Sequence, residues 1–181
     1  PGAGEIKAIY YKLLWHADSL RILTAAQRDV YEIRIYDLQG NLARKIVKSF
    51  DPVSPTQEYK ESYRKNLGPR MYEMLKGRIS FPASLPPFHA FFGDEEGRLF
   101  VMTYEEGLRP DEAMYDIFNG EGIFVGRKSL KRCLGNDSMQ FSAMDYVLGR
   151  MKNGRLYYLR ESDEGYHQLT VSRVVWEGRM R

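Results

Sequence analysis

The side chains best suited to chemistry in this sequence are three histidines, His16, His89 and His167. Histidine titrates near neutral pH and is a common metal ligand, so it can serve as an acid–base group or hold a zinc ion. No two of the three are spaced H-x-x-x-H or H-x-H, so the sequence predicts no metal and no cofactor. The alternative for His16 and His89 is a hydrogen-bonded ring packed near aromatic side chains. His167 is predicted to face solvent.

Motifs for nucleophilic or nucleotide chemistry are weak or missing. The single cysteine, Cys133, follows a basic stretch over residues 127–132, and nearby cations lower the pKa of a thiol. No histidine lies close to it in sequence, so a buried, inert thiol is the alternative. The sequence has neither G-x-S-x-G nor G-x-x-x-x-G-K-[ST], which excludes a nucleophile elbow and a P-loop.

Acidic runs and a cluster of phenylalanines are the remaining candidates. The acidic runs at residues 94–96, 105–106 and 161–164 match no calcium-loop spacing, so we interpret them as solvated turns. Phe88 and Phe91 could line a ligand pocket, or they could pack between sheets.

Size and charge place limits on the function. The chain has 181 residues and 21.1 kDa, enough for one domain or a piece of a larger protein. Its formal charge of +3 is too small to imply a nucleic-acid partner. No apolar run is long enough to predict a membrane span. Because the first residue is Pro1, we expect the start to be processed, cut or tagged.

Most of the chain alternates apolar and polar residues, as half-buried antiparallel strands do. The clearest cases are residues 31–35 and 168–172. Glycine-containing clusters between the runs predict hairpin turns. These clusters are residues 37–40, 94–97, 119–122 and 152–154.

One segment, residues 54–77, predicts a helical insertion instead. Ser54 at the N-cap, Pro55 at the first helical position and Gln57 form a capping box. The glycine and proline at residues 68–69 are predicted to interrupt the helix.

The turns repeat along the chain. Residues 97–101 (GRLFV) match residues 154–158 (GRLYY), and residues 18–22 give a degenerate copy with Asp18 at the glycine position. A second turn type recurs at residues 36–42 and 118–124.

Two alternating hairpin types with a period of roughly 40–60 residues predict four-stranded units. The predicted fold class is therefore all-β, a single partial β-propeller over residues 1–181 with about three four-stranded antiparallel blades. The blades are predicted at residues 5–50, 86–131 and 142–177; the last has three strands, and the helical insertion separates the first two.

Several segments resemble bacterial six-bladed β-propeller proteins of the NHL-like group. Residues 81–88 (FPASLPPF) followed by 93–101 (GDEEGRLFV) are similar to the family's proline-rich entry and its D-x-x-G-x-L-(W/F)-V hairpin. The hairpin at 35–40 and the ending at 153–176 are similar as well. The chain is about half the length of such a propeller, so the resemblance implies the C-terminal half of a longer protein. A second copy or missing N-terminal blades would then cover the exposed blade ends.

The resemblance also suggests where a site would lie. First strands of propeller blades line the central channel, which makes His16, His89, Phe88 and Phe91 candidate channel-facing or ligand-binding residues. Family members are often exported, which favours a periplasmic or extracellular location.

Three functions stay open. The leading hypothesis is a non-catalytic binding module for a protein, peptide or glycan ligand. The alternative is a metal-dependent propeller enzyme of the lyase or lactonase type, with its site in the central channel. In the third, the helical insertion docks a partner and the blades are scaffold.

Overall fold

The fold is mostly β. A computed structural model of the chain describes residues 4–8, 13–18, 20–26, 29–132, 149–161 and 166–175. The elements within these ranges are β1 (Ile6–Lys7), β2 (Leu13–Ala17), β3 (Ile22–Ala26), β4 (Tyr31–Tyr36), β5 (Leu42–Lys48), α1 (Gln57–Leu75), β6 (Ile79–Ser80), β7 (Ala90–Gly93), β8 (Leu99–Glu106), β9 (Glu112–Phe118), β10 (Phe124–Lys131), β11 (Gly149–Lys152), β12 (Arg155–Glu161) and β13 (His167–Arg173).

The longer strands form three antiparallel sheets in which neighbours in sequence pair. The first sheet is β2–β5, the second is β7–β10 and the third is β11–β13. The prediction of four-stranded antiparallel sheets is confirmed, and no sheet of the described residues closes into a barrel. Among the described residues, β2 is the first strand of the first sheet, and β1 pairs in parallel with β6.

The second sheet packs on both of its faces, because successive side chains of a strand point in opposite directions. Toward the first sheet it directs Phe91, Leu99, Val101 and Phe118. Toward the third sheet it directs Ala90, Phe92, Phe100, Met102, Tyr115 and Ile117. All four residues of β7 are buried, as expected of a strand covered on both sides.

Neighbouring sheets approach one another most closely at their first strands. Strand β2 contacts β7, and β7 contacts β11. Successive connections of an antiparallel sheet lie at its opposite ends, so the short turns gather at one end, here called the short-turn end. The connections that carry α1 and the longer loops gather at the other, the long-connection end.

Four turns of the short-turn end share one hydrogen-bond pattern. In each, a side-chain Oδ1 accepts from the backbone N–H two residues later and from another N–H three or four residues later. These side chains belong to Asp18, Asp37, Asp94 and Asn119. The alignment that placed Asp18 at the glycine position is therefore wrong, because Asp18 has the role of Asp94 in a turn one residue shorter.

Arg21 joins the first sheet to both turns of the second. Its Nη1 donates to the carbonyl oxygen of Gly120 at 3.0 Å, and its Nη2 donates to the carbonyl oxygen of Gly97. Asp18 accepts from Nε at 3.1 Å and fixes the direction of the guanidinium. The short-turn end is therefore tied together by side chain-to-backbone hydrogen bonds.

The helical insertion is confirmed, with a different N-terminus. Helix α1 begins at Gln57, and its N-cap is Thr56, whose Oγ1 accepts from the Tyr59 N–H at 3.1 Å. The capping box at Ser54 was wrong, because Ser54 Oγ donates to the Ala83 carbonyl instead. The predicted interruption is present at Gly68, whose φ of 72° is outside the helical range.

We predict that Arg21→Ala lowers the free energy of unfolding by about 2 kcal/mol, because two carbonyl acceptors lose a charged donor. Urea unfolding followed by circular dichroism measures this difference. The matched control is Arg34→Ala, which removes an arginine whose contacts with Glu32 and Tyr36 lie on the exposed surface, and it should cost at most about 0.5 kcal/mol. Equal costs for the two variants would contradict the bridging role of Arg21.

Candidate functional site

A cavity of about 140 Å³ opens at the long-connection end, between the first and second sheets. The end of β5 and the loop after it form one wall, and the prolines before β7 form another. The lining residues are Lys48, Ser49, Phe50, Asp51, Val53, Pro86, Pro87, Thr103, Glu105, Asp116 and Arg127. The cavity thus combines an apolar wall with five ionisable side chains.

Asp116 is the buried charge of this cavity. It lies on β9, on the face directed at the first sheet, and its side chain is 1% exposed. A carboxylate at that depth needs compensating charges, since desolvation opposes its ionised form. Two cations supply them, one from each sheet.

Lys48, the last residue of β5, contributes the first cation. Its Nζ lies 3.2 Å from Asp116 Oδ2. The same ammonium lies 5.4 Å from the ring centre of Tyr31 and 5.3 Å from that of Phe124, close enough for cation–π attraction. Lys48 is therefore held by one carboxylate and two aromatic faces.

Arg127, on β10 directly opposite Asp116, contributes the second cation. Its Nε lies 3.0 Å from Asp116 Oδ1, and its Nη2 donates to Glu105 Oε1 at 2.6 Å. Glu105 and then Asp116 raise the pKa of Arg127. Lys48, Asp116, Arg127 and Glu105 thus form a continuous series of ion pairs, which runs from the buried Asp116 to the partly exposed Glu105.

Tyr31 adds a buried hydroxyl that lies close to Asp116 without a well-aligned hydrogen bond to any described residue. Burial raises the pKa of Tyr31 far above its usual range, and the nearby charge of Asp116 raises it further. The phenol therefore stays protonated and acts as a packed ring, T-shaped against Phe88 with ring centres 4.8 Å apart.

The arrangement provides both donors and acceptors beside an apolar wall. Phe50, Pro86 and Pro87 form the apolar part, and the ion pairs form the polar part. Because the opposite charges pair with each other, the cavity suits a polar group of mixed donors and acceptors better than a free anion or a metal ion.

His16 lies on β2 at the short-turn end. Its Nε2 accepts from the Gly93 N–H at 3.2 Å, which places the proton of a neutral ring on Nδ1. A Cβ on Gly93 would lie 2.8 Å from this nitrogen, so the close approach requires glycine. The structure thus packs His16 against the next sheet as a hydrogen-bonded ring.

His89 lies immediately before β7, at the opposite end of that strand from Gly93. Its ring stacks on Tyr104, with ring centres 4.9 Å apart and an angle of 7°. Its backbone N–H donates to the Met102 carbonyl at 2.7 Å. Four residues of strand, roughly 13 Å, separate His89 from the residue that binds His16, so the two imidazoles are too far apart to bind one ion together.

Phe88 and Phe91 lie in the core between the first and second sheets. Phe88 is fully buried, and Phe91 is 3% exposed. Their ring centres are 6.3 Å apart in a T-shaped contact. Their proposed contact with a ligand stays a prediction.

Other sequence candidates give no site in the part of the chain that is described. No group of three or more His, Cys, Asp or Glu side chains there is arranged to hold a metal ion. Cys133 lies outside the described residues, and of His167 only the backbone, at the start of β13, is described. Among the described helices, none is both long enough and apolar enough to pass through a bilayer.

The sequence analysis missed Asp116. It lies in the run Tyr115-Asp116-Ile117-Phe118, where a charged residue is flanked by large apolar ones. That break in an otherwise buried strand was the available signal, since an unpaired charge there would oppose folding.

Comparisons of the chain with family models, curated proteins and solved structures give no match. The interpretation of the cavity therefore depends on its own residues.

We predict that Asp116→Asn lowers the free energy of unfolding by about 3 kcal/mol, because Lys48 and Arg127 lose the charge they share. Tyr31→Phe, which removes a hydroxyl without a hydrogen bond at the same place, should cost less than about 1 kcal/mol. Urea unfolding of both variants gives the comparison. A Tyr31→Phe cost equal to that of Asp116→Asn would show that the hydroxyl is a necessary partner of the carboxylate.

We also predict that His16 makes stability fall as the pH drops from 7 to 5. Burial lowers the pKa of His16, Asp18 partly opposes this, and Arg21 and Arg150 add to the lowering. The unfolded chain, with an ordinary histidine near 6.5, then binds the proton more readily than the folded one, and acid favours unfolding. His16→Gln should flatten this part of the pH profile of unfolding; parallel profiles for variant and wild type would refute it.

Proposed function

We propose that this chain is a non-catalytic binding module built as part of a β-propeller, of the kind its NHL-like hairpins resemble. The observation that carries the proposal is the approach of the first strands β2, β7 and β11 to one another. In a propeller the first strands surround an axis and the later strands radiate from it. Three meander sheets that converge at their first strands fit that arrangement.

The alternating packing of the second sheet supports the same proposal. Its two faces bury separate clusters, one with the first sheet and one with the third. Repeat architectures bury a continuous core in this way, each unit contacting only its neighbours. The outer faces of the first and third sheets would then pack against further blades or another chain.

The ligand is expected at the long-connection end. The short-turn end is fixed by Arg21 and by the side chain-to-backbone bonds of its turns. Binding residues are commonly carried by longer loops on a rigid scaffold, and the cavity lies among such loops. Its apolar wall and paired charges fit a segment of a peptide or a glycan.

An array of immobilised peptides and oligosaccharides tests this proposal. The chain should retain a defined subset, and Ser49→Trp, which places an indole at the cavity, should abolish that retention. Gln39→Trp is the matched control, because it adds the same side chain at an exposed turn of the short-turn end and should leave retention unchanged.

The outcomes separate the proposal from its alternatives. Retention unaffected by Ser49→Trp would exclude the cavity as the site. Absence of retention from the whole array, together with turnover of a small substrate after a divalent metal is added, would favour the propeller enzyme instead.

A further inference from the structure

The outer face of the third sheet carries a row of cations. Met151 and Leu156 point toward the second sheet, so their neighbours Lys152 and Arg155 point away from it. The register places Lys152 opposite Arg155, and Arg155 opposite Arg173, so three cations lie side by side across three strands. All three are exposed, and so is Arg150, which lies in the next row.

Nothing in the described residues neutralises this row. Neighbouring strands are about 4.8 Å apart, and like charges directly opposite each other destabilise a sheet. None of the four cations forms an ion pair with another described residue. The nearby carboxylate of Glu95 accepts instead from the Asn153 N–H in the adjacent turn. An acidic surface brought against this row would therefore be attracted to it.

Apolar side chains lie beside the cations on the same face. Tyr157 pairs with Val171 in the row of Arg150, and Leu169 lies one row further. Val171 is 48% exposed and Leu169 is 67% exposed. A surface that joins an apolar patch to concentrated charge suits a protein partner, which buries apolar area, better than a nucleic acid.

A second copy of this chain does not offer the complementary surface. The outer face of the first sheet carries Arg34 directly opposite Lys45, and its one described acidic side chain, Glu32, already pairs with both. Stacking that face, or another third sheet, onto the cation row would oppose positive charges. Neither outer sheet face of a second copy therefore complements the cation row.

We propose that the outer face of the third sheet is a docking surface for an antiparallel β-sheet of a different protein segment whose facing row is acidic. This inference rests on the proposed function, because the docked sheet would be the next blade after the third sheet. Carboxylates spaced by the partner's own strands would match the cation row, and apolar residues beside them would cover Val171 and Leu169.

A charge-reversed version of this chain can serve as the acidic sheet. The double variant Arg155→Glu with Arg173→Glu presents acidic residues at the same strand spacing on an antiparallel sheet. Mixed with the wild-type chain, it should form a one-to-one complex in sedimentation velocity, whereas each protein alone should not pair through this face. The association constant should fall roughly tenfold or more between 0.05 and 0.5 M salt.

The matched control is Lys65→Glu with Arg70→Glu, which makes the same charge change at two exposed positions of α1. It should not associate with the wild type. Circular dichroism verifies that both double variants are folded, and the single variant Arg155→Glu replaces the first if it is not.

Three results would overturn the proposal. In the first, the wild-type chain forms no complex with the charge-reversed variant. In the second, it associates equally well with the α1 control variant. In the third, the wild-type chain binds a 20-base-pair DNA duplex and the charge-reversed variant does not. The last would identify a polyanion site. Because none of these measurements uses the cavity, failure here is distinguishable from failure of the proposed ligand site.

Discussion

Burial of the second sheet on both faces is the interaction on which the rest of the structure depends. Phe91 and Val101 face the first sheet while Phe92 and Phe100 face the third, so this one sheet contributes side chains to both cores. The same alternation directs Asp116 at the first sheet, where Lys48 meets it. Without that packing, neither the buried ion pairs nor the approach of the first strands would persist.

The two ends of the stack differ in how they are held. At the short-turn end, side chains such as Asp94 satisfy backbone groups locally, and Arg21 then links neighbouring sheets. At the long-connection end, the sheets meet through a buried charge and an apolar wall, with a cavity between them. The short-turn end therefore suits a scaffold role, and the long-connection end, with its larger loops, suits ligand binding.

Much of the architecture could be predicted from the sequence, because the relevant signals are local. Period-two alternation and glycine turns indicate strands and hairpins, and the glycine–proline pair at residues 68–69 indicates the break in α1. The N-cap was misplaced by two residues because Ser54 has a tertiary partner in Ala83 that local pattern cannot reveal. For Asp116 the local pattern shows a charge within an apolar run, but the cations that make its burial possible lie on β5 and β10 and are revealed only by the tertiary structure.

The most direct test of the account is a comparison of two distances across the stack by double electron–electron resonance. One pair of spin labels joins the first strands at Ala17 and Arg150, and the other joins the outer strands at Val47 and Gln168; all four positions are exposed. Sheets that radiate from an axis require a clearly shorter distance for the first pair. Two similar distances, near the roughly 20 Å of two parallel sheet spacings, would contradict the account.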